Sequence, residues 1–184
     1  MALDNRELIC LIFCDVSKAF DRVWLRGLLL KLERYGIEGN LLQWLGRYIL
    51  AREQQVIIKD AISGKGNLKA GVPHVSIIGP LLFLIFINDI ADETIGLCRL
   101  LADDTSIGEK SYEMNSLCNM GNTDLKNISE WSKQWLVKLN PTKTDIVYFN
   151  TRDIPPGLFF RIENTRIYPV KCHKHLGITF KCRL

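Results

Sequence analysis

Two hydrophobic periods alternate along this chain. Ile9 to Cys14 is apolar at every position, so it reads as a strand covered on both faces, ending at Asp15. Beyond Asp21 the spacing becomes helical: Leu25, Leu28, Leu29, Leu32 and Tyr35 share a face, and the run stops at Gly36. Asn40 to Ala51 predicts a second helix with Leu41, Leu42, Trp44, Leu45, Tyr48 and Ile49 turned inward. Gln54 to Lys59 reads as strand, and the glycine-bearing, sparsely apolar Lys59 to Lys69 as a loop or hairpin tip.

Gly71-Val72-Pro73 then breaks the chain ahead of a helix predicted over Ser76 to Ile90. Ser76 is its N-cap, and Pro80 is tolerated because it falls in the first turns. This helix is apolar nearly all round, which predicts burial beneath a sheet. Leu97 to Ala102 and Thr105 to Gly108 form a hairpin turning at Asp103-Asp104. Ser111 to Val137 is helical, with Leu117, Leu125, Ile128, Trp131, Trp135 and Leu136 inward and an interruption near Gly121. Asn140-Pro141 ends it. Asp145 to Asn150 is an alternating strand, Phe159 to Ile167 a hairpin turning at Asn164-Thr165, and Leu176 to Phe180 a last strand.

Without the segment between Arg22 and Gly71 the order is strand, helix, strand, strand, helix, strand. That is the order of an α+β, ferredoxin-like split βαβ fold, whose first and third strands are central neighbours. It brings Asp15 beside the Asp103-Asp104 hairpin.

Composition narrows the class. A chain of 184 residues, 47% hydrophobic, can bury the core of one domain. The longest apolar run, Ile77 to Ile87, contains Gly79 and Pro80 and stops at Asn88-Asp89, short of the roughly 20 residues a membrane span needs. The opening MALDNRE lacks the basic start of a secretory signal. Six cysteines without a CxxC pair read as reduced thiols, so the expected location is intracellular, nucleus or cytoplasm. Cys172, His173, His175 and Cys182 match no closed zinc pattern. A net charge of +4 permits an anionic partner without requiring one.

Candidate chemistry lies in three carboxylates. Asp15, Asp103 and Asp104 each end a strand-like apolar run, where an ionised side chain needs a cation. Two Mg²⁺ ions, with Mn²⁺ as a substitute, would fit: hard ions take oxygen ligands, and a pair roughly 3.5–4 Å apart clamps a phosphoryl transfer. The competing reading of the doublet alone is a polar turn.

Five blocks in order then decide between them. FCDVSKAFDRVW (Phe13 to Trp24), GVPHVSIIGPLLFLIFINDI (Gly71 to Ile90), LADD (Leu101 to Asp104), LNPTKTDIVYF (Leu139 to Phe149) and HKHLGITF (His173 to Phe180) resemble the successive palm motifs of reverse transcriptases, most closely those of non-LTR, LINE-like, jockey-type retrotransposons. The resemblance covers nearly the whole chain. It implies an RNA-directed DNA polymerase that adds dNTP to a DNA primer 3′-end on an RNA template. It also implies a single partial domain over residues 1–184 and an incomplete polymerase hand. The palm would occupy 8–22 and 71–150, a fingers-derived insertion 23–70, and a primer-grip-like hairpin and strand 158–184.

By the same resemblance Asp15 and Asp103 bridge the two metals, Asp104 completes the set, and the Val16 backbone carbonyl faces a metal. Phe20 takes the position that packs under the incoming sugar and excludes a 2′-hydroxyl. Lys143 matches a lysine near the leaving phosphate. Asp21, Asn88 and Asp89 fall on motif positions as helix-terminal and loop supports rather than ligands. Departures are also visible. Pro73-His74-Val75 stands where the family has Pro-Gln-Gly, so His74 replaces the glutamine that touches the nucleotide and Val75 the glycine that lets backbone approach. Leu101 replaces an aromatic. With these changes, and with the fingers and thumb expected to be missing, the chain is expected to polymerise little or not at all. The alternatives are a non-catalytic nucleic-acid-binding remnant and another two-metal enzyme such as a nuclease.

Overall fold

The computed structural model describes residues 7–149 and 157–182. The opening MALDNR and the predicted strand end at Asn150 lie outside them. The elements, in order, are β1 (Leu8–Cys14), α1 (Leu25–Arg34), α2 (Gly39–Leu50), four short strands β2 (Glu53–Gln54), β3 (Ile57–Ile58), β4 (Ala61–Ile62) and β5 (Gly66–Asn67), and α3 (Ile78–Ile87). Then follow β6 (Leu97–Leu101), β7 (Asp104–Ser111), α4 (Met114–Gln134), β8 (Asp145–Phe149), β9 (Phe160–Ile162), β10 (Thr165–Ile167), β11 (Cys172–His175) and β12 (Ile178–Lys181). The chain is thus mixed α and β, and its described residues form two compact units, one built on 7–17, 89–134, 138–149 and 157–182, the other on 18–88 and 135–137.

The first unit is a four-stranded sheet in the order β6-β7-β1-β8, each neighbouring pair antiparallel. β1 is central, between β7 and β8, which is why it is apolar on both faces. Cys10, Ile12 and Cys14 point to one side, where α4 packs, and Phe13 points to the other, where it stacks on His173 of β11 at 4.1 Å between ring centroids. Ile146, Val147 and Tyr148 are all buried, so β8 is covered on both faces rather than alternating as its sequence predicts.

α4 runs unbroken through Gly121, contrary to the expected interruption. The glycine is there for space: a Cβ at this position would lie 2.7 Å from the Phe160 ring and 3.2 Å from Ile12 Cδ1. The helix ends at Gln134, and Leu136, expected inward, is exposed with φ 57°. Beyond β8, Leu176 (φ 51°) and Gly177 (φ 82°) make the two-residue turn that joins β11 to β12.

In the second unit α1 packs on α2 and α3. α1 stops as its sequence predicts: Gly36 at φ 83° donates to the Glu33 carbonyl and Ile37 to the Leu32 carbonyl, at 2.9 and 3.1 Å. Lys31 is buried on this helix, its ammonium on the Phe86 carbonyl and 3.7 Å from the centroid of the Trp135 ring. Ser76 caps α3 by accepting the Gly79 N–H at 2.9 Å. The expectation that α3 is buried all round fails, because Leu81 and Leu84 are 56% and 46% exposed. α2 likewise buries Leu45 and Ile49 but leaves Leu41 and Trp44 exposed, Trp44 stacking on its own helical neighbour Tyr48. Both helices carry more apolar face than this unit covers. Among the described residues no helix is long and apolar enough to cross a membrane.

Candidate active site

Backbone pairing, not the side chain, fixes Asp15. Its carbonyl accepts the Asn140 N–H at 2.9 Å and the Ser17 N–H donates to the Lys138 carbonyl at 2.8 Å, closing an antiparallel bridge between Val16 and Leu139. In such a ladder the N–H and C=O of Val16 point to the opposite edge, the one along which β1 pairs with β7. The pairing also delivers the turn after Leu139. Asn140 organises that turn, its carbonyl accepting from the Lys143 N–H at 3.2 Å and the Thr144 hydroxyl at 2.9 Å. Lys143 Nζ therefore lies 3.9 Å from Asp15 Oδ1. Both side chains meet solvent, so this pair adds little stability. Its effect is to set a positive charge beside the carboxylate.

Register decides which member of the aspartate doublet meets Asp15. Cys14 is opposite Thr105, so one step on Asp15 comes opposite Asp104, and opposed residues project to the same side of the sheet. The hairpin turns at Ala102-Asp103, Ala102 having φ 53°, and Asp104 already belongs to β7, paired with Leu101. The predicted turn is therefore displaced by one residue. A cavity of about 200 Å³ opens at this end of the sheet, lined by Asp15, Asp104, Thr105, Lys143, His173 and His175 among others. Asp103 is not part of its lining. On the opposite, α4-facing side of β7, Thr105 Oγ1 is buried with no hydrogen-bond partner among the described residues.

The structure thus brings Asp15 and Asp104 together with Lys143 and leaves Asp103 in the turn. Among the described residues no group of three or more His, Cys, Asp or Glu side chains is placed to hold a metal ion, and this includes the set Cys172, His173, His175 and Cys182. Two carboxylates on one face, open to solvent, are still the donor set that suits a Mg²⁺ ion, which keeps several waters and takes its other ligands from substrate phosphates. His173 closes one side of the cavity. Its Nδ1 pairs with Asp145 Oδ2 at 2.7 Å while its ring lies on Phe13, and His175 tilts onto the same ring at 4.9 Å. Sequence reasoning missed this Asp145–His173–Phe13 cluster, because nothing in a lone strand residue announces its partner 28 positions on.

In the second unit Phe20 and His74 are in contact. Phe20 is layered between the His74 ring at 4.6 Å and the Phe83 ring at 4.3 Å, and His74 Nε2 is 3.2 Å from Asp21 Oδ1. Gly71 at φ 89° permits this: a Cβ there would come within 2.9 Å of the Asp21 carbonyl oxygen. Val75 is fully exposed. Asn88 Nδ2 donates to the Tyr35 hydroxyl at 3.2 Å. In the first unit Asp89 Oδ1 accepts from Trp131 Nε1 at 3.0 Å.

The chain is similar to the apo telomerase of Candida tropicalis truncated from its C-terminal domain, with a TM-score of 0.58 over 95% of this chain and 34% of that one, at 11% identity, a likeness of fold alone. The reverse transcriptase (RNA-dependent DNA polymerase) family matches residues 2–180, and the chain belongs to it. Its relatives include, from Drosophila melanogaster, the probable RNA-directed DNA polymerases from transposon BS and from transposon X-element, each 30% identical over 100% of this chain. The RNA-directed DNA polymerase from mobile element jockey is 29% identical over the same span. The chain is a reverse transcriptase domain of the retrotransposon kind, and it spans about a fifth of the length of these relatives, 20–21%.

Proposed function

We propose that the chain carries the split βαβ palm of a non-LTR retrotransposon reverse transcriptase and that its reaction is RNA-templated addition of dNTP to a DNA primer 3′-hydroxyl. The observation that carries this reading is the opposition of Asp15 and Asp104 on one face of the central strand pair, in a cavity open to solvent with Lys143 at its mouth. Mg²⁺, or Mn²⁺ in its place, supplies activation of the primer hydroxyl and neutralisation of the leaving phosphates when bound. Asp15, Asp104 and the Val16 carbonyl would be its oxygen donors. Asp103 completes a two-ion set only if the Ala102-Asp103 turn carries its carboxylate round to the Asp104 face. Lys143 meets the leaving phosphate as a mobile point charge.

Phe20 is the wall beneath the incoming sugar. Stacked between the His74 and Phe83 rings, it would present its edge to a 2′-hydroxyl. His74 takes the place of the family's nucleotide-touching glutamine, and its tie to Asp21 draws it away from that duty.

Primer extension on an RNA template tests the proposal. The chain as it stands extends slowly. His74→Gln combined with Val75→Gly raises metal-dependent extension by about tenfold or more, and Asp15→Asn or Asp104→Asn in that background lowers it by about 100-fold or more. Absence of extension from the restored variant, or extension that survives Asp15→Asn, rejects the reading. In the same background Phe20→Ala raises ribonucleotide incorporation relative to deoxynucleotide. An unchanged ratio removes Phe20 from the sugar.

A further inference from the structure

On the α4 side of the sheet, away from the Phe13 face that carries Asp15 and Asp104, α4 and the β9–β10 hairpin enclose a groove of about 540 Å³. Its two walls are tied together. Asn122 Oδ1 accepts the Arg161 N–H at 2.9 Å, and Lys133 Nζ reaches Glu163 Oε1 at 3.2 Å. Arg161 and Arg166 stand directly opposite each other across the hairpin, so their side chains leave the same face about 5 Å apart at Cβ. Like charges in that relation destabilise a strand pair unless an anion lies between them. Among the described residues neither guanidinium has a carboxylate partner. Arg166 instead lies over the Phe159 ring at 4.6 Å, and Phe159 lines the groove.

We propose that this groove is a second nucleic-acid site, which takes a single-stranded segment by placing one phosphate between Arg161 and Arg166 and one base against Phe159. Two guanidiniums leaving one face of the hairpin side by side suit a phosphodiester, and an aromatic ring beside them suits a base of any identity. The volume lies within the range of pockets that hold a unit of nucleotide size. The site is independent of metal and of the primer end. It holds strand on the far side of the sheet from the carboxylates, as an anchor for nucleic acid not being copied.

A 5-iodouracil-containing DNA 12-mer, photocrosslinked to the full chain and mapped by peptide mass spectrometry, tests this. The expected adducts fall between Phe159 and Tyr168. Arg161→Ala with Arg166→Ala lowers their yield by about tenfold or more, whereas Arg161→Lys with Arg166→Lys retains most of it. Phe159→Leu lowers the yield while leaving the fold, followed by circular dichroism, unchanged. Asp15→Asn leaves these adducts untouched even though it lowers extension in the restored variant, so failure of the polymerase reading and failure of this one are separable. Adducts confined to the Phe13, His173 and His175 face, or a yield indifferent to removal of both arginines, overturn the proposal. Competition by dTTP as effective as by unlabelled 12-mer overturns the strand and leaves a mononucleotide site.

Discussion

Glu109 shows how strongly a single buried residue depends on its neighbours. It lies two residues beyond Ile107 and four beyond Thr105 in β7, so the pleat turns it with them into the core, where it is almost wholly buried facing Asp124 of α4. Asp124 is satisfied there, its two oxygens accepting the Ile95 and Gly96 N–H groups at 2.8 and 3.0 Å. Glu109 has no such donors. Burial first, then the hydrogen bond to Asp124 and the charge on it, push Glu109 up to about 8. At neutral pH it keeps its proton. The folded chain then binds one more proton than the unfolded one between the ordinary carboxylate range and pH 8, so stability falls as pH rises through that window. Glu109→Gln keeps the hydrogen bond, removes the titration and flattens the dependence. Urea unfolding at pH 5.5 and 8.5 measures it, and a slope equal to that of the parent chain refutes the assignment. The strand expected from the sequence stops at Gly108, one residue short of Glu109, and a charge is read as solvated until the facing residue is known.

Among elements, α4 best separates what spacing tells from what it does not. Its inner residues Leu117, Leu125, Ile128 and Trp131 are buried as their spacing predicts. Gly121 misleads, because a helical glycine is read as a weakness while here it makes room for Phe160 from a strand 39 residues later. Gly121→Ala adds helix propensity of about 1 kcal/mol. It also forces a methyl into the ring edge, costing about 1–3 kcal/mol. The variant should be less stable by about 1 kcal/mol in chemical denaturation followed by circular dichroism. A gain in stability means the ring moves aside freely. Gly36 is the opposite case, a stop signal that is read correctly because the capping hydrogen bonds are local.

For the molecule as a whole, apolar runs mark β1, β6 and β8, though not the largely polar β7, and the aspartate blocks mark the end of the sheet where the cavity lies. Which carboxylate enters the cavity was not legible, since displacing a hairpin turn by one residue exchanges the faces of Asp103 and Asp104. Nor was the approach of Lys143, which depends on the Val16–Leu139 bridge between remote segments. The uncovered faces of α2 and α3 were hidden for a different reason: periodicity says that a face is apolar, not that something in the same chain covers it.

The central place of β1 has a consequence for how the chain is made. Its partners are β7 and β8, so Ile9 waits for Lys110 and for Phe149 before it is paired on either edge. At about 5–20 residues added per second, the most apolar strand leaves the ribosome several seconds before its first neighbour. During that interval the second unit, whose contacts are nearer in sequence, can already assemble, while β1 stays a sticky, unpaired ribbon. Until those neighbours emerge, β1 is the strand of this sheet most open to wrong pairing.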